Sequence, residues 1–78
     1  MSTRARNEKK FGQWSPLPNG GRQYWHEVAG RFGWKARYVK EVDSRERTER
    51  VWQEIWNENG QLIEVHLKYP VDSGHQKP

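Results

Sequence analysis

Glu64, His66 and Lys68 stand at alternate positions in one short run, and along a strand that spacing puts all three on one face. Arg50 and Trp52 occupy a second run of the same kind, a turn earlier in the chain. A histidine, a lysine and an arginine around one phosphate are the groups that metal-independent RNA cleavage uses. The imidazole moves a proton, and the cations hold the charge that builds on the phosphoryl oxygens. His75 or His26 would supply the second acid–base group. The structural alternative is a solvated sheet face, where mixed charges beside a Trp–His pair are ordinary. No spacing in the run singles out the chemistry, so no catalytic residue is assigned.

Metal chemistry has less behind it. His26, His66, Asp72 and His75 are the available ligands, and none of their spacings matches a structural zinc site or an H-E-x-x-H helix. The chain has no cysteine, which removes thiolate ligands, disulfides and cysteine nucleophiles together. Gly20-Gly21 and the Gly30/Gly33 pair lack the following Lys-Ser/Thr of a phosphate-binding loop. Neither a metal nor a cofactor is expected.

Aromatic residues interleaved with cations are the remaining signal. Trp25, Trp34, Lys35 and Arg37 would make a basic-aromatic patch on which bases could stack beside paired phosphates. The competing use is a core, since a short β domain with few aliphatics fills its interior with rings.

These residues need elements to hold them. Val51–Trp56 and Leu62–Leu67 are apolar-rich runs separated by Asn57-Glu58-Asn59-Gly60, a composition that suits a hairpin turn closing on a left-handed glycine. A three-residue loop at 58–60 sets Asn57 opposite Gln61. The register that follows pairs Ile55 with Ile63, Gln53 with Val65 and Val51 with Leu67 on one core-like face. The other face then carries Arg50, Trp52, Glu54, Trp56, Glu64, His66 and Lys68, the candidate binding face. A helix over about 44–59 is the rival, which would make the domain α+β. Asp43 and Glu46 have capping-box spacing, and Val51, Trp52, Ile55 and Trp56 form a helical stripe. The turn chemistry and the β-type run after it favour the strand.

The rest of the chain fits the same class. Arg22–Val28 and Trp34–Val42 alternate as strands, giving a mainly β, four-stranded antiparallel meander, curled into a partial barrel or left half-open. Residues 1–13 read as a disordered basic tail, 14–70 as one small domain and 71–78 as a C-terminal tail, with Pro70 ending the last strand. Ser15-Pro16-Leu17-Pro18 reads as an extended segment. The formal charge of +4 is uneven. Residues 1–10 carry a surplus of +3 and 22–42 another +3, while 43–66 carry −3. Much of the basic excess is therefore tail, which weakens the case for nucleic acid. No run is apolar enough for a signal segment or membrane span, so a soluble cytoplasmic protein that does not enter membranes is expected.

Two segments, GRFGWKARYVKEVD and QEIWNENGQLIEVHLKYPVDSGH, carry a resemblance across Gly21–His75. They resemble a family of small uncharacterised bacterial proteins with the pattern G-R-x-G-W, then Y-V-K-E-V-D, then E-x-H-x-K-Y-P-x-D-x-G-H. The resemblance implies a self-contained β-rich domain of bacterial origin and brings no activity or site residues. Together these readings point to a non-catalytic interaction module whose Trp-bearing, mixed-charge face meets another protein or a second copy. Single-stranded nucleic-acid binding, with RNA cleavage as its sharper form, is the alternative.

Overall fold

The computed structural model describes residues 3–70 and, for residues 74–76, the backbone alone. Helix α1 (Thr3–Phe11) is followed by β1 (Gln13–Pro16), β2 (Arg22–Ala29), a short 3-10 turn (Arg31–Gly33), β3 (Lys35–Val42), β4 (Thr48–Trp56), β5 (Leu62–Tyr69) and β6 (Gly74–Gln76). Strands β1 to β5 pair in sequence order, each antiparallel to the next, in one open sheet, and the three-residue β6 extends its far edge.

The mainly β class and the meander are as expected, and the extra elements correct the reading. Gln13–Pro16 joins the sheet as an edge strand, so the meander has more than four strands and stays open instead of curling into a barrel. Part of the expected C-terminal tail pairs with β5 as β6. Residues 44–59 hold a hairpin turn and a strand, not the rival helix. Asp43 and Glu46, read as a possible helix cap, are the first and fourth residues of that turn.

Three hairpin loops share one design. Leu17 N–H donates to Gly21 O at 2.9 Å and Gly20 N–H to Leu17 O at 3.1 Å. The same two bonds close Asp43–Arg47 (2.9 and 3.0 Å) and Asn57–Gln61 (2.9 and 3.1 Å). In each, the fourth residue is left-handed: Gly20 at φ +87°, Glu46 at +63° and Gly60 at +76°. This is the three-residue loop ending in a left-handed bulge. Asp43 and Asn57 reinforce it in the same way, each side-chain oxygen accepting two backbone N–H groups of its own loop.

Helix α1 replaces the expected disorder at the N-terminus. It is polar, with Phe11 its one large apolar residue, and a helix of nine residues is marginal alone. Docking holds it. Phe11 is buried against Tyr24 (ring centroids 5.9 Å) and His26 (5.5 Å), and His26 stacks on Tyr38 at 5.0 Å. Tyr24 and Val42, both fully buried, complete this small core under the helix.

Glu46 ties the helix to the sheet. Its carboxylate accepts from the Tyr24 hydroxyl at 2.8 Å, Asn7 Nδ2 at 3.2 Å and Arg4 Nε at 3.2 Å. Lys40 Nζ donates to Asn7 Oδ1 at 2.9 Å from below. Burial by itself would raise the Glu46 carboxyl, but these donors outweigh it and hold the group below its ordinary value of 4.5. Burial and the bond to Glu46 push the Tyr24 hydroxyl up.

The sheet therefore has two unlike faces. Alternation puts Tyr24, His26, Tyr38, Lys40 and Val42 on the side that α1 covers at one end. The opposite side, the open face, has no helix or strand over it among the described residues.

Candidate functional site

The open face is built in rows across the ladder. Residues directly opposite each other on paired strands share a face, so the pairings read as rows. Trp25, Val39, Trp52 and Leu67 form one, and Glu27, Arg37, Glu54 and Val65 form the next. A third runs Ala29, Lys35, Trp56 and Leu62, and Gln23, Glu41 and Arg50 close the other end.

Three tryptophans dominate this surface, and each is held. Val39 is 1% exposed although nothing stacks on the face, because Trp25 and Trp52 flank it in its row. Glu54 lies between Trp52 and Trp56 along β4, and its two carboxylate oxygens take one indole N–H each. The Trp52 Nε1 bond is 2.8 Å and the Trp56 Nε1 bond 3.1 Å. Spacing of two along a strand puts all three side chains on one side, close enough for a single carboxylate to reach both rings. The polar edges of the rings are thereby turned inward along the strand.

Cations sit against the rings. Arg37 lies 5.1 Å from the Trp25 ring and Arg50 5.8 Å from the Trp52 ring. Arg50 also bonds Glu41 at 2.7 Å, Glu41 accepts from Gln23 at 3.1 Å, and Lys35 lies 3.6 Å from Glu27. Arg37 Nε is buried with no hydrogen-bond partner among the described residues. In formal charge Glu27, Glu41 and Glu54 balance Lys35, Arg37 and Arg50.

Half of the expected binding face is here and half is not. Arg50, Trp52, Glu54 and Trp56 share the open face as expected. Glu64, His66 and Lys68 do not join them. Trp56 pairs with Leu62, but Ile55 pairs with Glu64, Glu54 with Val65 and Trp52 with Leu67. Ile63 is the extra residue of a bulge, which shifts the register by one and exchanges the faces of β5. Glu64 and His66 now stand opposite Ile55 and Gln53, on the helix side. Lys68, the extra residue of a second bulge, has its ammonium 5.5 Å from the Tyr38 ring. Val65 and Leu67, expected in a core, lie among the tryptophans instead.

Consequently the phosphate-cleaving constellation is not assembled, because Arg50 and His66 occupy opposite faces. The backbone of β6 sets His75 opposite His66 in the ladder, and Asp72 lies outside the described residues. Among the described residues no group of three His, Asp or Glu side chains is placed to hold a metal ion. No described helix is long and apolar enough to cross a membrane.

The basic-aromatic patch is divided too. Trp25, Lys35 and Arg37 are on the open face, while Trp34 precedes β3 and alternates to the other side. Phe32 stands at the tip of the loop between β2 and β3. It is 88% exposed with a left-handed backbone (φ 59°, ψ 29°). The Phe-Gly dipeptide, standing where Asn-Gly is usual, is the signal that could have marked it.

The fold and face define a class: a single-layer antiparallel meander with one ordered aromatic face and one helix-capped face. No family model, curated protein or solved structure matches the chain.

Proposed function

We propose that this chain is a small non-catalytic interaction module whose open face binds a protein surface, either another protein or a second copy. The observation that carries the reading is Glu54 holding the Trp52 and Trp56 indoles at once. Rings fixed before contact lose little freedom on binding, and fixed aromatic residues beside arginine are what binding hot spots are made of.

Charge favours protein over single-stranded nucleic acid. A face that tracks phosphates needs a cation surplus, and here three carboxylates stand among three cations. Unpaired cations lie elsewhere, among them Arg6, Lys9 and Lys10 of α1, which form no ion pair among the described residues.

The test is a heteronuclear NMR titration that follows the indole N–H signals. With short single-stranded RNA at low salt, the Trp25, Trp52 and Trp56 indoles should stay in place. With the partner, or at high protein concentration for a second copy, they should shift and survive added salt. Indole shifts with RNA that vanish steeply with salt would replace this reading with nucleic-acid binding.

A further inference from the structure

We propose that the molecule associates head to tail with copies of itself, the Phe32 tip of one entering a cleft at the opposite end of the next. The cleft borders the open face and shares Glu41 and Arg50 with it, while the Phe32 tip lies outside that face, so a Phe32 variant tests this contact alone.

The tip is built to present a ring. Trp34 N–H donates to Arg31 O at 3.0 Å, and the two residues between them, Phe32 and Gly33, are both left-handed. A bulky residue at positive φ is a genuine outlier, costing roughly 1–2 kcal/mol. Burial cannot offset that cost, since the ring is 88% exposed. Strain combined with near-complete exposure of a large apolar side chain marks a contact made elsewhere. Val28 and Trp34, 48% and 38% exposed, widen the apolar tip, and Arg31 beside Phe32 has no ion pair among the described residues.

The cleft lies at the other end of the sheet. It is a half-open depression of about 300 Å³ lined by Leu17, Pro18 and Asn19 of the first hairpin loop and by Glu41, Glu49 and Arg50 of β3 and β4. Leu17 and Pro18 give a phenyl ring an apolar wall to lie against there. Glu49 is the extra residue of a bulge, because Val42 pairs with Thr48 and Glu41 with Arg50. Its carboxylate has no ion pair among the described residues. One end thus offers an aromatic ring beside Arg31, and the other offers Leu17 and Pro18 beside Glu49, neither charge having an ion pair among the described residues. Strands β2 and β3 are eight residues long, which separates the two ends by roughly 26 Å at ~3.3 Å per residue. A molecule cannot fill its own cleft. Repeated in one direction, head to tail, such a contact leaves an unfilled tip and cleft on a pair and builds a ring or an open chain.

Sedimentation equilibrium of the full chain across a concentration series tests this. The weight-average mass should climb past that of a dimer. Phe32→Ser, at an exposed position, should weaken association about tenfold or more while leaving the NMR spectrum of the fold intact. Arg31→Glu and Glu49→Lys should each weaken it, and the double variant Arg31→Glu/Glu49→Lys should recover it, which a merely structural role would not produce. A monomer at every concentration, a plateau at the dimer, or association untouched by Phe32→Ser would each overturn the proposal. A plateau at the dimer that Trp52→Ala removes would assign self-association to the open face instead.

Discussion

Glu46 occupies the left-handed position that glycine holds in the two sister loops, and its side chain explains why. A glycine there would relieve the backbone but could not bond Tyr24, Asn7 and Arg4. Glu46→Ala keeps the strained φ and loses all three bonds, and should cost about 2–3 kcal/mol in a denaturant titration. Glu46→Gly should cost less, by up to roughly 1 kcal/mol, as the strain is released. Equal losses would mean that the turn backbone is not strained. The carboxyl also sets an acid limit. Its folded value is below the ordinary 4.5, so its contribution is fully present above 4.5 and is lost as pH falls through the folded value. Stability of the wild type should drop over that interval, and Glu46→Gln should flatten this part of the profile. Gly21 is constrained differently: a Cβ there would lie 2.0 Å from the Val42 carbonyl oxygen. Gly21→Ala must push β2 and β3 apart, and should lower stability by more than about 2 kcal/mol.

At the scale of elements, α1 and the β4–β5 hairpin behave in opposite ways. The helix depends on what lies under it, with Phe11 over Tyr24 and His26. Phe11→Ala should release the helix, cost about 3 kcal/mol and remove helical signal from the far-ultraviolet circular dichroism spectrum. Retained helicity would show that α1 does not need its dock. The hairpin is locally specified, and its loop was readable from Asn57 and Gly60 alone. Its register was not. A bulge depends on how the twisted strands pack across several rows, and one extra residue at Ile63 sends the side chains from Glu64 to Leu67 to the other face, until the second bulge at Lys68. Within β4 the alternation needed no partner, which is why Arg50, Trp52, Glu54 and Trp56 were correctly grouped. Glu54→Leu should keep the strand yet free both indoles, seen as changed Trp52 and Trp56 indole N–H shifts with little change in the backbone spectrum.

For the whole molecule, the single layer is the decisive property. A radius of gyration of 13.3 Å exceeds the roughly 11.5 Å expected of a compact chain this long, and the extents are 37 × 24 × 22 Å. Among the described residues four hydrophobic side chains are buried: Phe11 and Tyr24 with Val42 on one side, Val39 on the other. A domain with so small an interior is stabilised by only a few kcal/mol. Covering the open face would add apolar burial on a scale comparable to its own core, so binding there should raise the melting temperature. The edges are managed as well. β1 is four residues long and ends in Pro16, and β6 is three residues long, which limits pairing of the sheet edge to edge.

By itself the sequence determined the class, the hairpin turns and the alternation within each strand, because these depend on neighbours a few residues apart. Asn57 and Gly60 specify their loop through local bonds and one left-handed residue. Trp25 opposes Tyr24, and Arg37 opposes Tyr38, whatever lies across the sheet. Tertiary structure alone decided the rest. A polar helix of nine residues forms only because Tyr24 and Glu46 are waiting for it. The faces of β5 follow from a bulge, and Glu46 tolerates its backbone only because donors from α1 and β2 converge on it. Each of these rests on contacts between residues far apart in the chain, and no local preference encodes such a contact.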